Sequence, residues 1–223
     1  DIDIIGDGNL SIVNDAEIPS VIYTTIKEFG FDNFTIRINN RKILNGLFAE
    51  LNLEEKSVEI MRIIDKLEKI GRDNVAKCLK DLNVENDKIE KILNIIEIDG
   101  TTDKNLQKLE NLNFKNELFL EGLNELKEVV KYVRLFGVPD TNFKVDLTIA
   151  RGLDYYTGTV YETFLNDYRE LGSICSGGRY DNLAEFYTDK KMPGVGVSIG
   201  LTRLFSKLSE LNILKEKEES ISK

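Results

Sequence analysis

Histidine is absent from the 223 residues of this sequence. Its absence removes the commonest general base, the commonest metal ligand and every Ser–His or Cys–His catalytic pair. Any chemistry on this chain must therefore use carboxylates, arginines, phenols and backbone groups.

Cysteine is scarce as well, with only Cys78 and Cys175, which are far apart and fit no metal-binding spacing. Two isolated thiols favour a reducing compartment. No apolar run reaches the length of a membrane span, and the opening residues lack the pattern of a signal peptide. We therefore expect a cytoplasmic protein.

The net charge is acidic, with 39 Asp and Glu against 30 Lys and Arg, a formal charge of −9. This excess argues against a protein that binds nucleic acid through its overall charge. Lysine and arginine are still plentiful, so a local basic face remains compatible with the composition.

The first 45 residues have the pattern of a sheet domain. Residues 1–5 alternate as a strand, and Phe34–Asn40 alternate in the same way. Between them, Asn14 and Glu17 have the spacing of a capping box, which predicts a helix that ends at Gly30. Because the first residue already lies in a strand, we expect the chain to be a piece of a longer protein.

The middle of the chain is helical in pattern. Apolar residues repeat at helical spacing, and the charged residues between them alternate in sign, as on solvated helix faces. We interpret residues 46–137 as an all-helical insert, without catalytic residues, that interrupts the sheet domain.

Strand patterns return in the last third of the chain, before a helix at about 199–211 and a charged tail at 215–223. The predicted strands are Phe143–Ile149, Thr159–Leu165, Ser173–Ser176 and Val195–Val197. The fold class is therefore α+β. A largely antiparallel sheet with flanking helices, built from residues 1–45 and 138–214, is interrupted by the helical insert.

One stretch concentrates polar chemistry: Arg151–Glu162, which is R-G-L-D-Y-Y-T-G-T-V-Y-E. Its position between two strand patterns predicts that Arg151–Gly158 is a turn at the edge of the sheet. A guanidinium there suits a carboxylate or phosphate, and the phenols of Tyr155 and Tyr156 suit a polar ring or an amine.

This stretch resembles the histidine-specific signature of histidyl-tRNA synthetases, a class II aminoacyl-tRNA synthetase family. Ser176–Asp181 (S-G-G-R-Y-D) also resembles that family, and Gly194–Arg203 is similar to class II motif 3. The resemblance extends from Asp1 to about Leu208. It implies an antiparallel class II sheet and a ligase that attaches L-histidine to tRNA(His) through a histidyl-adenylate, with ATP as substrate and Mg²⁺ as its ion.

The resemblance makes Arg151 the catalytic residue. A planar, permanently charged guanidinium can bridge the histidine carboxylate and the α-phosphate of ATP as charge builds in the transition state. The alternative is a surface ion pair with Asp146 or Asp154.

The resemblance also implies a histidine pocket that contains Asp3, Tyr155 and Tyr156. A carboxylate and a phenol on the two nitrogens of an imidazole would reject other side chains, because either partner left unpaired is costly. Adjacent tyrosines in an extended segment would point to opposite sides. The alternatives are buried aromatic packing for the tyrosines and a solvated aspartate for Asp3, with Asp1 on the same strand face as the next candidate.

Glycines mark two further predicted sites. Gly177 and Gly178 interrupt a strand pattern, which predicts a bulge or a close backbone approach and, by resemblance, a backbone wall of the histidine pocket; plain packing is the alternative. Arg203 and Gly200 are assigned to ATP binding by the likeness to motif 3, against the alternative of a surface arginine. Arg179 is predicted to pair with Asp181.

The resemblance places motifs 1 and 2 before Asp1 and implies a homodimeric parent protein. A piece without those motifs is expected to be nearly inactive. A second reading is a regulatory paralogue that binds histidine or tRNA without charging it, although the retained arginines and tyrosines favour the enzyme. A purely structural helical scaffold is disfavoured by the glycine, arginine and tyrosine of the last third.

Overall fold

A computed structural model describes residues 1–150 and 155–214 of the chain. Over these residues the chain forms six β-strands and nine α-helices. The strands are β1 (Ile2–Ile5), β2 (Phe34–Asn40), β3 (Phe143–Val145), β4 (Thr159–Leu165), β5 (Cys175–Tyr180) and β6 (Gly194–Ile199). The helices are α1 (Val13–Glu28), α2 (Arg41–Glu50), α3 (Ser57–Ile64), α4 (Leu67–Ile70), α5 (Arg72–Asp81), α6 (Asn86–Ile96), α7 (Thr102–Asn111), α8 (Glu117–Leu135) and α9 (Leu201–Glu210).

The strands form one sheet in the order β1-β6-β5-β4-β2-β3, antiparallel except for the parallel pair of β2 and β3. This confirms the predicted α+β class. The strands on either side of the predicted turn, β3 and β4, are not neighbours, because β2 lies between them. The predicted turn therefore lies between two strands that do not pair, and residues 151–154 lie outside the described residues.

Helix α1 begins differently from the prediction. Ile12 is the N-cap, and the side-chain amide of Asn14 donates to the Ser11 carbonyl at 3.1 Å. The capping box is therefore wrong, because Asn14 lies inside the helix and donates to the backbone. The predicted end is confirmed, since Gly30 follows the helix with a φ of 86°, a conformation that glycine adopts without steric cost.

Pro19 lies inside α1 and has no N–H for the carbonyl of Asp15, four residues earlier. That carbonyl accepts a hydrogen bond from the Tyr161 hydroxyl of β4 at 2.5 Å. The proline thus leaves an acceptor that the sheet satisfies, and it fixes α1 to β4 at this point.

Two predicted strand boundaries are wrong. β3 ends at Val145 because Asp146 accepts from the amide and the hydroxyl of Thr148, at 3.0 and 2.6 Å, which turns the chain. β5 instead continues through Gly177 and Gly178 in unbroken register with both neighbours. The predicted bulge is therefore absent, and the alternative of a close backbone approach applies.

Helices cover the segment between β2 and β3, as predicted. One continuous hydrophobic core joins them to the sheet. Helices α2 and α8 cross closely where glycines remove the side chain, because a Cβ on Gly46 would overlap the backbone of Phe119, and one on Gly122 would lie 2.8 Å from the Ile43 amide. The division into a catalytic core and a separate insertion domain at 46–137 stays a prediction. Among the described helices, none is both long enough and apolar enough to cross a membrane.

Candidate active site

A cavity of about 580 Å³ opens on one face of the sheet. Its wall combines phenols, carboxylates, hydroxyls and a guanidinium contributed by β4, β5, β6, α9 and the segments beside them. The members used below are Tyr155, Tyr156, Glu162, Glu170, Gly177, Ser198 and Arg203. The predicted residues Tyr155, Tyr156, Gly177 and Arg203 are thus brought together from positions up to 48 residues apart (203 − 155).

Glycines on β5 and β6 make room for the polar side chains beside this cavity. A Cβ on Gly196 would overlap the carboxylate of Asp3, and one on Gly194 would overlap the ring of Tyr180. A Cβ on Gly178 would lie 3.0 Å from Cδ1 of Tyr156. Each of the three glycines therefore leaves space for one polar side chain.

Asp3 and three tyrosines form a connected cluster. The Tyr180 hydroxyl donates to Asp3 Oδ1 at 2.7 Å. The ring centroids of Tyr155 and Tyr180 are 6.1 Å apart, and those of Tyr155 and Tyr156 are 4.7 Å apart. The expectation that Tyr155 and Tyr156 point to opposite sides is wrong, because Tyr155 lies in a turn and the two rings contact each other.

Sequence reasoning did not select Tyr180 as a site residue. The available signal was its position in the S-G-G-R-Y-D stretch, two residues after Gly178 on the same strand face. Of the two acidic candidates in this segment, Asp3 and not Asp1 accepts the hydrogen bond from the Tyr180 hydroxyl.

The electrostatics keep two phenols of this cluster, those of Tyr156 and Tyr180, protonated. Burial and the hydrogen bond to Asp3 raise the pKa of Tyr180 above its ordinary value. Burial and the neighbouring hydroxyl of Tyr155 likewise raise the pKa of Tyr156. Both hydroxyls can therefore donate hydrogen bonds at neutral pH. Burial also raises the pKa of the Cys175 thiol to about 12, so this cysteine is not a nucleophile at neutral pH.

Arg203 lies in the first turn of α9 at the wall of the cavity. Its Nη2 donates to the carbonyls of Leu171 and Ser173, at 2.6 and 2.5 Å. Two carbonyls thus fix one edge of the guanidinium. Gly200 precedes the helix, and its amide donates to the Ile174 carbonyl at 3.0 Å.

Arg151, the predicted catalytic residue, lies outside the described residues, as do Asp154 and the tail at 215–223. Of its two alternative partners, Asp146 is described. Asp146 is buried, and its Oδ2 lies 3.1 Å from the ammonium of Lys144 and 3.4 Å from Nε of Arg37. Asp146 therefore already has two cationic neighbours.

A second cavity, of about 410 Å³, shares Glu162, Gly172 and Ser173 with the first. Its wall includes Lys66 and Lys69 from the helical segment. The helices therefore contribute side chains to the margin of the site, although the sequence predicted no catalytic residues there.

Arg37 connects this margin to the sheet. Its guanidinium lies 4.2 Å above the ring of Phe164 and forms an ion pair with Glu68 of α4. The Arg37 side chain is nearly fully buried, whereas its partner Glu68 is exposed, so packing fixes the guanidinium and not the carboxylate.

Arg179 pairs with Asp181 as predicted, but its shorter bonds are to Asp15. Its Nη2 donates to Asp15 Oδ1 at 2.6 Å, whereas Nη1 lies 3.4 Å from Asp181 Oδ1. The sequence pattern indicated the near partner, two residues away, and could not indicate the one 164 residues away.

The chain is similar to histidyl-tRNA synthetases over almost its whole length. A family model described as histidyl-tRNA synthetase matches residues 2–204. The chain is 60% identical over 220 residues to a histidine–tRNA ligase of Clostridium tetani, which covers 99% of this chain and 50% of that relative. The crystal structure of a histidyl-tRNA synthetase from a Nostoc species has a TM-score of 0.93 at 46% identity, over 96% of this chain and 50% of that chain.

A more distant structure, from Bacillus halodurans, shares the fold alone. It is described as an ATP phosphoribosyltransferase regulatory subunit/histidyl-tRNA synthetase, with a TM-score of 0.72 at 23% identity over 91% of this chain and 52% of that chain. In each of these comparisons the chain spans about half the length of the protein that it matches.

Proposed function

The chain belongs to the histidyl-tRNA synthetase family, and from this membership we propose that it is part of an enzyme that ligates L-histidine to tRNA(His). Histidine and ATP first form histidyl-adenylate and pyrophosphate, and the histidyl group then passes to the terminal ribose of the tRNA. Because the chain spans about half the length of its relatives, the activity is assigned to the full-length protein, and the isolated 223 residues are expected to be nearly inactive.

The observation that carries this proposal is the cluster of Asp3, Tyr156 and Tyr180 above a glycine floor. An imidazole offers one N–H donor and one nitrogen acceptor. The carboxylate of Asp3 can accept from the donor, and a protonated phenol can donate to the acceptor. A side chain without this donor and acceptor would leave a polar group of the pocket unpaired, so the cluster selects histidine.

Arg203 supports an adjoining site for ATP. Its guanidinium is at the cavity wall, and two carbonyls orient it, which suits a phosphate or the face of an adenine ring. Gly200 stays a predicted contact next to it. Arg151 is proposed to bridge the histidine carboxylate and the α-phosphate, where a fixed positive charge stabilises the transition state.

Mg²⁺ would enter this site with the phosphates of ATP. No group of three potential metal-ligating side chains occurs in residues 1–150 and 155–214. Mg²⁺ that arrives with a nucleotide needs only one or two protein carboxylates. Glu162 and Glu170 of the cavity wall are the carboxylates that could complete its coordination, and the ion would neutralise phosphate charge there.

The remaining assignments follow from the family. The helical residues 46–137 are proposed to approach the acceptor stem of the tRNA, since Lys66 and Lys69 lie at the margin of the site. Residues 1–45 and 138–214 are proposed as the catalytic core of a cytoplasmic homodimer, completed by motifs 1 and 2.

The test is histidine-dependent ATP–pyrophosphate exchange by the full-length protein. We expect exchange with histidine and with no other amino acid, and we expect Arg151→Ala to abolish it while histidine still binds. Absence of exchange in the presence of measurable histidine or tRNA binding would instead establish the regulatory paralogue, in which Arg151 is a binding residue.

A further inference from the structure

A buried ion pair lies beneath the sheet, on the face opposite the candidate site. Asp15 of α1 is 0% exposed and Arg179 of β5 is 7% exposed. Nε of Arg179 donates to the two carboxylate oxygens at 3.0 and 3.1 Å, and Nη2 donates at 2.6 Å. The Thr159 hydroxyl donates to the same carboxylate at 2.7 Å. The pair is therefore hydrogen-bonded on both sides, which offsets the cost of burying its charges.

Arg179 also bonds to the chain that leads into α1. Its Nη2 donates to the carbonyls of Leu10 and Ser11, at 3.0 and 3.3 Å. One side chain thus connects β5, the start of α1 and, through the shared carboxylate of Asp15, β4.

The same arginine holds the segment that carries Tyr155 and Tyr156. The amide of Thr157 donates to the carbonyl of Arg179 at 2.9 Å. The Thr157 hydroxyl donates to Asp181 Oδ2 at 2.5 Å, and the other oxygen of that carboxylate lies 3.4 Å from Nη1 of Arg179. The backbone of Thr157 is therefore tied to the backbone of Arg179, and its side chain is tied to Asp181, which the Arg179 guanidinium contacts.

Packing continues this connection at the next residue. A Cβ on Gly158 would lie 3.0 Å from Cδ of Arg179, so the segment passes directly against the arginine stem. The neighbours of Arg179 on β5, Gly178 and Tyr180, face the other side of the sheet. Gly178 packs against the ring of Tyr156, and the Tyr180 hydroxyl bonds to Asp3. Arg179 thus lies between the two strand positions that shape the cluster.

We infer that Arg179, held by Asp15, is a positioning residue that fixes the tyrosine segment 155–158 over the sheet and so determines recognition of the amino-acid substrate. This inference rests on the proposed function and adds a role for residues that touch no substrate. If the ion pair only stabilised the fold, its disruption would change the KM values for histidine and ATP alike. If Arg179 positions the tyrosine segment, its substitution changes KM for the amino acid, whose pocket the segment forms, more than KM for ATP.

Hydrogen exchange of the full-length protein tests the positioning itself. In Arg179→Lys the charge is retained, but the fork that bonds Asp15 and Asp181 together is lost. We expect amide exchange in the peptide that contains Thr157 to become at least about ten-fold faster. Asn142→Ala is the control, because its buried amide bonds the carbonyls of Asp32 and Phe34 instead. Unchanged exchange in Arg179→Lys, or equal acceleration in the control, overturns the inference.

Kinetics of ATP–pyrophosphate exchange test the consequence. We expect Arg179→Lys to raise KM for histidine by about 10- to 100-fold, as for a displaced binding group. KM for ATP is expected to change by less than about three-fold, because the interaction lost is not made with ATP. A parallel rise of both KM values, or no change in KM for histidine, overturns the inference.

Thr157→Val provides a second variant that removes only the hydroxyl bonded to Asp181. It decides the question if Arg179→Lys fails to fold. We expect a smaller rise in KM for histidine, about three- to ten-fold, with faster exchange of the same peptide; no change in either quantity refutes the role of Arg179. If the unmodified protein shows no histidine-dependent exchange, the proposed function fails, and hydrogen exchange still decides whether Arg179 positions the segment.

Discussion

The hydroxyl of Tyr180 donates to Asp3 Oδ1 at 2.7 Å, although the two residues are 177 positions apart and their strands are not neighbours. Strand β6 lies between β1 and β5, and the bond passes above it. Gly194 and Gly196 make this possible, since a side chain at either position would occupy the space of Tyr180 or Asp3. The polar cluster is therefore a product of the glycine pattern of β6.

Removal of the Tyr180 hydroxyl tests this bond. Tyr180→Phe deletes the donor that orients the carboxylate of Asp3, and we expect KM for histidine to rise by about ten-fold, the effect of one lost hydrogen bond of roughly 1.4 kcal/mol. ATP–pyrophosphate exchange by the full-length protein measures it. Tyr187→Phe is the matched control, because Tyr187 is 90% exposed. An unchanged KM in Tyr180→Phe would contradict the role given to this hydroxyl.

The glycine of β6 can be tested at Gly196. In Gly196→Ala the new methyl group must displace the carboxylate of Asp3, so we expect histidine binding to fall to an undetectable level in equilibrium dialysis. Ser206→Ala is the control, because Ser206 is an exposed residue of α9 with no assigned role in the site. Retention of histidine binding in Gly196→Ala would show that Asp3 is not needed in its present position.

Substitution of Arg203 is expected to impair the binding of ATP. Arg203→Ala removes a guanidinium that two carbonyls orient at the cavity wall, and we expect KM for ATP to rise by about 10- to 100-fold. KM for histidine should change little. Lys207→Ala is the control, because Lys207 is one turn further along α9, is exposed and pairs only with Glu210 among the described contacts. A larger rise in KM for histidine than in KM for ATP would contradict the assignment of Arg203 to the ATP site.

The sequence predicted the elements of this fold well where the signal is local. Alternation identified β2 and β4 with their observed bounds, and Gly30 identified the end of α1. Each of these features depends on neighbouring residues, either through the period of side-chain direction or through the backbone freedom of glycine.

Partners far apart in sequence were not predictable from one chain. Nothing near Arg179 indicated Asp15 as its partner, and nothing near Pro19 indicated that the Tyr161 hydroxyl would satisfy the freed carbonyl. For the same reason Tyr180 was missed, since its importance depends on Asp3 across β6. Of the site residues assigned by resemblance, Tyr155, Tyr156, Gly177 and Arg203 line one cavity and Asp3 bonds to Tyr180, whereas Arg151 lies outside the described residues. Their roles stay predictions.

The crossing of α2 and α8 gives a prediction in which local and tertiary effects oppose each other. Gly46 lies inside a helix, where alanine is ordinarily more stable than glycine by about 1 kcal/mol. At this position a Cβ would overlap the backbone of Phe119, so the helices would have to move apart.

Overpacking of a close contact costs about 1–3 kcal/mol, and here the obstacle is backbone, which cannot rotate away. We therefore expect Gly46→Ala to lower the free energy of unfolding, measured by urea denaturation of the full-length protein. Ser206→Ala, at an exposed position of α9, is the control and should be close to neutral. An increase in stability for Gly46→Ala would mean that helix propensity outweighs the crossing, and that α2 and α8 do not pack as closely as their glycines allow.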